Sequence, residues 1–198
     1  MELKQRQYSV LIVSSQPKFN EALLSLMGER NHYDYTLENS ICTAKRRLQG
    51  RDYDIVIINA PLPDDNGVRL AIDRSQSGSC AVLLAVRNEY YPDIFRNVCP
   101  YGVYTLPKPP SRQMVSLALD WLESTHERLA GLKKKEVSLE DKMTEIRLVN
   151  RAKWLLITKK SLTEEEAHHA VEKLAMDKCV TKKAIAERII AADGDIRL

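Results

Sequence analysis

Three aliphatic runs without polar alternation constrain this chain most: SVLIV at 9–13, DIVII at 54–58 and CAVLLAV at 80–86. A strand with one wet face alternates apolar and polar residues. Runs that are apolar throughout suit strands covered on both faces, as in a parallel sheet. Helical patterns lie between them. Phe19, Leu23, Leu24, Leu26 and Met27 put an apolar stripe on a helix over 18–29, and Ile41, Ala44, Lys45 and Leu48 do so less clearly over 40–49. Weaker strands are expected at 33–37 and 102–105, and a last helix begins near Ser111. This alternation, with right-handed crossovers, predicts a doubly wound α/β domain of five parallel strands.

Composition narrows the class further. Of 198 residues, 44% are hydrophobic and 29% charged, the balance of a globular protein rather than a disordered one. No apolar run approaches the roughly 18–20 residues of a membrane span, and MELKQRQYSVLIV is too short in apolar content for a secretory signal. Cys42, Cys80, Cys99 and Cys179 are far apart. They fit neither a zinc site nor a disulfide framework, so reduced thiols and a cytoplasmic location are expected. The net charge of +3 is unevenly divided: residues 1–127 hold 14 basic and 15 acidic side chains, whereas 128–198 hold 16 and 12. A basic C-terminal third suits a polyanionic partner or simply a solvated helical surface.

Ligands of doubly wound folds gather where strands end. Here those ends carry Ser14-Ser15-Gln16-Pro17, Asn59 followed by APLPDDNG, Ala85-Val86, and Leu106-Pro107-Lys108-Pro109. With LIVSSQP, DYDIVIINAPLPDDNG and YGVYTLPKPP in this order, residues 8–122 resemble the receiver domain of bacterial response regulators of two-component systems. The resemblance implies an acidic pair that holds Mg²⁺, an aspartate that accepts phosphate, a Thr or Ser, and a lysine before a cis proline. The corresponding residues are Ser14 and Ser15, Asn59, Ala85, and Lys108 before Pro109. Neutral hydroxyls are poor Mg²⁺ ligands, an amide cannot form an acyl phosphate, and alanine cannot hydrogen-bond one. Only Lys108 survives. The expectation is a pseudo-receiver that is not phosphorylated and has no catalytic residues. Asn59, Ser14, Ser15 and Lys108 either line a small pocket or satisfy one another. Asp64 and Asp65 read as turn residues before Gly67.

Between Ser111 and Ile157 the only glycine is Gly131 and there is no proline. Apolar residues recur near a heptad spacing at Leu122, Leu129, Leu132, Leu139, Met143 and Ile146. That pattern predicts a long helix over 111–157 that dimerises as a coiled coil, or an ordinary amphipathic helix packed on its own chain. Ser138 with Asp141 offers a second N-cap signal where the helix can restart.

Two further helices follow, one capped by Ser161 or Thr163 and reaching about Asp177, the other capped by Thr181 and spanning Lys182–Ala192. Residues 138–191 resemble the ANTAR domain, the RNA-binding module of transcription antiterminators. The matching residues are AKWLL at 152–156, LTEEEAH at 162–168, Ala175-Met176 and AERII at 186–190. Trp154, His168 and Glu172 depart from the residues common at their positions. The resemblance implies RNA binding within 138–198. Lys153, Lys159, Lys160, Lys173, Lys182 and Lys183 are candidates for phosphate contacts, Trp154 and His168 for planar stacking, and Thr163 and Met176 lie in the matching motifs. Trp154 suits a helical core equally well. His168 and His169 diverge too far on a helix to share a metal, and no cofactor is expected.

These features predict a non-enzymatic regulator that stabilises an antiterminator stem-loop in leader mRNA, as a homodimer with a possible regulatory protein partner. The alternative is a protein-interaction regulator that binds no RNA.

Overall fold

The computed structural model describes residues 6–78 and 80–195, which divide into two compact units at the boundary between residues 133 and 134. The first unit is built on β1 (Tyr8–Val13), β2 (Tyr33–Glu38), β3 (Ile55–Asn59), β4 (Ala81–Arg87) and β5 (Tyr104–Lys108). All neighbours are parallel, in the order β2-β1-β3-β4-β5. Helices α1 (Pro17–Arg30), α2 (Ile41–Gly50), α3 (Val68–Gln76), α4 (Tyr91–Val98) and α5 (Arg112–Lys160) follow the strands in turn.

The apolar runs explain this arrangement. Successive strand residues point to opposite faces, so each run supplies two cores. Leu11, Val13, Val56, Ile58, Val82 and Leu84 pack with residues of α2, α3 and α4 on one face. Val10, Ile12, Ile55, Ile57 and Leu83 pack against α1 and the beginning of α5 on the other. The edge strand β2 leaves Tyr35 and Leu37 exposed. The other edge, β5, runs two to three residues later than the sequence suggests and includes Pro107. Proline lacks an N–H and is tolerated at a sheet edge.

Helix starts are chosen by local polar chemistry. The Ser40 hydroxyl accepts from the Thr43 N–H at the start of α2. The Asp64 carboxylate, on the loop after β3, accepts from the Ile41 and Cys42 N–H groups at 3.0 and 2.9 Å. Those two backbone bonds hold the Asp64 pKa below the ordinary carboxyl value. Asp65 accepts from the N–H of Gly67 at 2.8 Å. Gly67 itself has φ +73, and a Cβ there would meet Ile58 Cγ2 at 2.7 Å. The acidic pair is therefore structural, as turn residues should be.

The first turns of α5 are anchored to the sheet. Arg30 donates to Asp120 at 2.5 Å and to the Ser116 hydroxyl at 2.8 Å, while Glu123 accepts from Tyr33. Helix α5 spans 49 residues, and neither Gly131 nor Ser138 interrupts it. A Ser-x-x-Asp signal caps a helix only where the preceding backbone is not already helical, so no restart occurs. Leu122, assigned above to the dimer seam, is corrected: it is fully buried in the core against the sheet. Further along, Leu132, Leu139, Met143 and Ile146 are 53–60% exposed.

The second unit contains the end of α5, α6 (Glu164–Asp177) and α7 (Lys182–Ala191). Leu155 and Leu156 pack with Ala167, Val171, Leu174, Ile185 and Ile189 in its core. A complete capping box starts α6: Thr163 accepts from the Glu166 N–H, and Glu166 accepts from the Thr163 N–H. Among the described residues, no helix is long and apolar enough to cross a membrane.

Candidate functional site

The carboxyl end of the sheet brings Ser14, Asn59, Ala85 and Lys108 together. Asn59 ends β3 in register with Ala85 of β4. It is fully buried, and Ser14 is 1% exposed. A hydrogen-bond network without a carboxylate fills the place. Asn59 Nδ2 donates to Ser14 Oγ at 3.0 Å and to Gln16 Oε1 at 3.3 Å. Lys108 Nζ donates to Asn59 Oδ1 at 2.6 Å and to the Ala60 carbonyl. The Lys108–Pro109 peptide bond is cis, as is Ala60–Pro61.

This arrangement settles which side chains engage one another. Ser14, Asn59 and Lys108 satisfy each other, whereas Ser15 is exposed and stands outside their network. Gln16 joins them, a residue that the receiver pattern does not single out. Burial, with Arg87 nearby, pushes the Lys108 ammonium pKa below its ordinary value. Chemically the site offers an amide, a hydroxyl and an ammonium, with no carboxylate among them to hold a divalent cation or attack a phosphoryl group.

The second candidate surface lies on the C-terminal unit. Trp154 is 62% and Met176 77% exposed, so Trp154 is not a core residue. Apolar side chains this open are available for contact. Lys153 is largely buried and pairs with Glu164 at 2.6 Å. Lys159 pairs with Asp193 at 2.7 Å and Lys182 with Glu172 at 2.5 Å. Lys160 is partly buried, Lys173 exposed and Lys183 partly buried. His168 stands beside Glu172 at 3.3 Å, leaving a half-exposed ring. The Thr163 hydroxyl is occupied by the helix cap, which ties that residue to the stability of α6.

Residues 138–190 match the ANTAR domain. The chain therefore has a receiver-type α/β fold followed by an ANTAR domain. Over 142 residues it is 27% identical to the transcriptional regulatory protein PdtaR of Mycobacterium tuberculosis, covering 71% of this chain and 69% of that protein. Its fold matches the signal receiver domain of an HD domain-containing protein from Pseudomonas fluorescens Pf-5, with a TM-score of 0.55 and 23% identity over 68% of this chain and 96% of that one. It also matches the response regulatory domain of mrkE from Klebsiella pneumoniae, with a TM-score of 0.54 and 16% identity over 61% and 98% of the two chains.

Replacing Asn59 by Ala strips Lys108, Ser14 and Gln16 of a shared partner inside the fold. Asn59→Ala is expected to cost about 2–3 kcal/mol of unfolding free energy, because buried donors and acceptors left unpaired carry their full desolvation cost. Urea denaturation followed by circular dichroism measures it. A cost within about 0.5 kcal/mol would mean that water replaces the amide without penalty.

Proposed function

We propose that this protein is a transcription-antitermination regulator that binds stem-loop RNA through its ANTAR domain. The observation that carries this reading is the ANTAR match over 138–190, on whose helices Trp154 and Met176 stand open to solvent, within a segment 128–198 that holds 16 basic and 12 acidic side chains. Unpaired loop bases stack on planar side chains, and lysines neutralise phosphate. The ion pairs of Lys153, Lys159 and Lys182 are compatible with this role, because an RNA phosphate can replace an exposed carboxylate partner. The chemistry required is binding, and holding an antiterminator hairpin prevents the competing helix from forming.

The receiver-type unit acts, in this reading, without phosphorylation. The support is the neutral network at Asn59, where every group that would hold Mg²⁺ or accept phosphate is replaced. Incubation with acetyl phosphate and Mg²⁺ is expected to leave the intact mass unchanged. A stable phosphoryl adduct on any residue of the unit overturns this part.

Two copies would associate through α5, where Leu132, Leu139, Met143 and Ile146 are exposed at helical spacing. Leu129 is only partly exposed and would lie at the end of such a seam. Exposed Phe95, Leu117 and Trp121 on the receiver-type unit support a protein partner as well. The double substitution Leu139→Lys/Ile146→Lys is expected to yield a monomer in sedimentation equilibrium at a concentration where the unmodified chain is dimeric. A persisting dimer would place the interface elsewhere.

RNA binding itself is tested with leader stem-loops recovered by crosslinking the protein in cells. Trp154→Ala is expected to weaken binding by about 1–3 kcal/mol while leaving the urea midpoint unchanged, since the ring is exposed. Affinity should also fall steeply with salt. Binding of scrambled single strands with equal affinity would reduce the contact to nonspecific charge, and no recoverable RNA would favour the protein-interaction alternative.

A further inference from the structure

The cleft between α1 and the first turns of α5 holds a cavity of about 510 Å³, within the usual range for small-molecule sites. Its walls are apolar, formed chiefly by Phe19, Leu23, Leu26 and Val115 with Pro109 and Pro110. Its polar lining is one-signed. Lys18, Arg87, Lys108 and Arg112 line it, and no acidic residue does.

Two of these cations have counter-ions. Arg112 pairs with Glu29 at 2.5 Å, and Arg87 lies 3.6 Å from Glu89. Lys18 and Lys108 make no ion pair with any described residue. The case of Lys108 is the more demanding. Its ammonium is partly buried and bound only by the neutral oxygens of Asn59 and Ala60. A partly buried charge without a counter-ion is costly, and here it borders an open, mostly apolar space. An anionic head would balance it, and a hydrocarbon body would cover the walls.

We propose that this cleft binds a small amphipathic carboxylate, with its apolar body between α1 and α5 and its carboxylate toward Lys18, Lys108 and Arg87. A compact polyanion such as phosphate fits less well, because it would leave the apolar walls wet and wants a cluster of N–H donors. The position of the site gives the ligand a direct reach to the former acceptor centre: Gln16 lines the cavity and also accepts from Asn59, and Lys108 belongs to both. Occupancy of the cleft thus bears on the hydrogen bonds that Asn59 makes to Gln16 and Lys108.

The test uses the full-length chain without RNA, so its outcome and that of the RNA-binding reading are independent. Octanoate is the probe, octanol its neutral counterpart with the same body, and acetate its counterpart with the same head. Isothermal titration is expected to show saturable binding of one octanoate per chain, about tenfold or more tighter than octanol or acetate. Ala22 lies on the exposed rim of the cavity, so Ala22→Trp should fill it and abolish binding while the circular dichroism spectrum is kept. The double change Lys18→Gln/Arg87→Gln should weaken octanoate about tenfold and leave octanol unaffected. Octanoate and octanol binding alike, inorganic phosphate binding more tightly than octanoate, or no saturation by about 10 mM octanoate would each overturn the proposal. If Ala22→Trp perturbs the fold, the charge-neutralising pair decides the matter, because its side chains lie on the rim rather than in the core.

Discussion

A parallel sheet exposes no face that water can satisfy, so its strands must be covered from both sides. Everything else in the first unit follows from that constraint. Crossover helices α2, α3 and α4 cover one face, while α1 and the start of α5 cover the other. The same geometry brings the carboxyl ends of β1, β3, β4 and β5 to one rim, where Ser14, Asn59, Ala85 and Lys108 converge. It also commits the first turns of α5 to the core, through Val115, Ala118, Leu119 and Leu122. The turns that carry Leu132, Leu139, Met143 and Ile146 stay exposed, and the last turns enter the core of the second unit.

The rim retains its shape and changes its electrostatics. Where a receiver resemblance implies several carboxylates around a metal, this chain places an amide and a hydroxyl. The amide's two ends suit its neighbours: its N–H₂ faces Ser14 and Gln16, and its oxygen faces Lys108. Hydrogen bonding is therefore nearly complete while charge is not, since the lysine keeps its positive charge and loses its anionic partners. That imbalance connects the altered acceptor site to the cation-lined cleft beside it. The two features share Gln16 and Lys108.

Legibility in the sequence varied with how local the cause was. The strand runs, the caps at Thr163 and Thr181, and the two helices after residue 160 are readable because short-range periodicity and capping chemistry decide them. The late end of β5 is harder to read, because Pro107 looks like a breaker until the strand is known to be an edge. Leu122 was placed on a dimer seam because a heptad count cannot tell a partner helix from a sheet. Trp154 fits core or surface by sequence alone, since one aromatic residue suits either side of an amphipathic helix. Gln16 stands at a strand end in the sequence, but its role depends on Asn59, 43 residues away.

By itself the sequence determined the fold class, the order of its elements and the replacement of the acidic acceptor residues. Residue type and spacing are enough for those, because burial of aliphatic runs and the chemistry of carboxylate against amide are properties of the side chains themselves. Only the tertiary structure decided which neutral groups pair at the rim, which heptad residues face the sheet, and where an unpaired cation borders an apolar cavity. Those outcomes depend on residues distant in the chain, such as Asn59 bonded to Lys108, and Phe19 and Val115 lining one cavity. No local pattern carries that information.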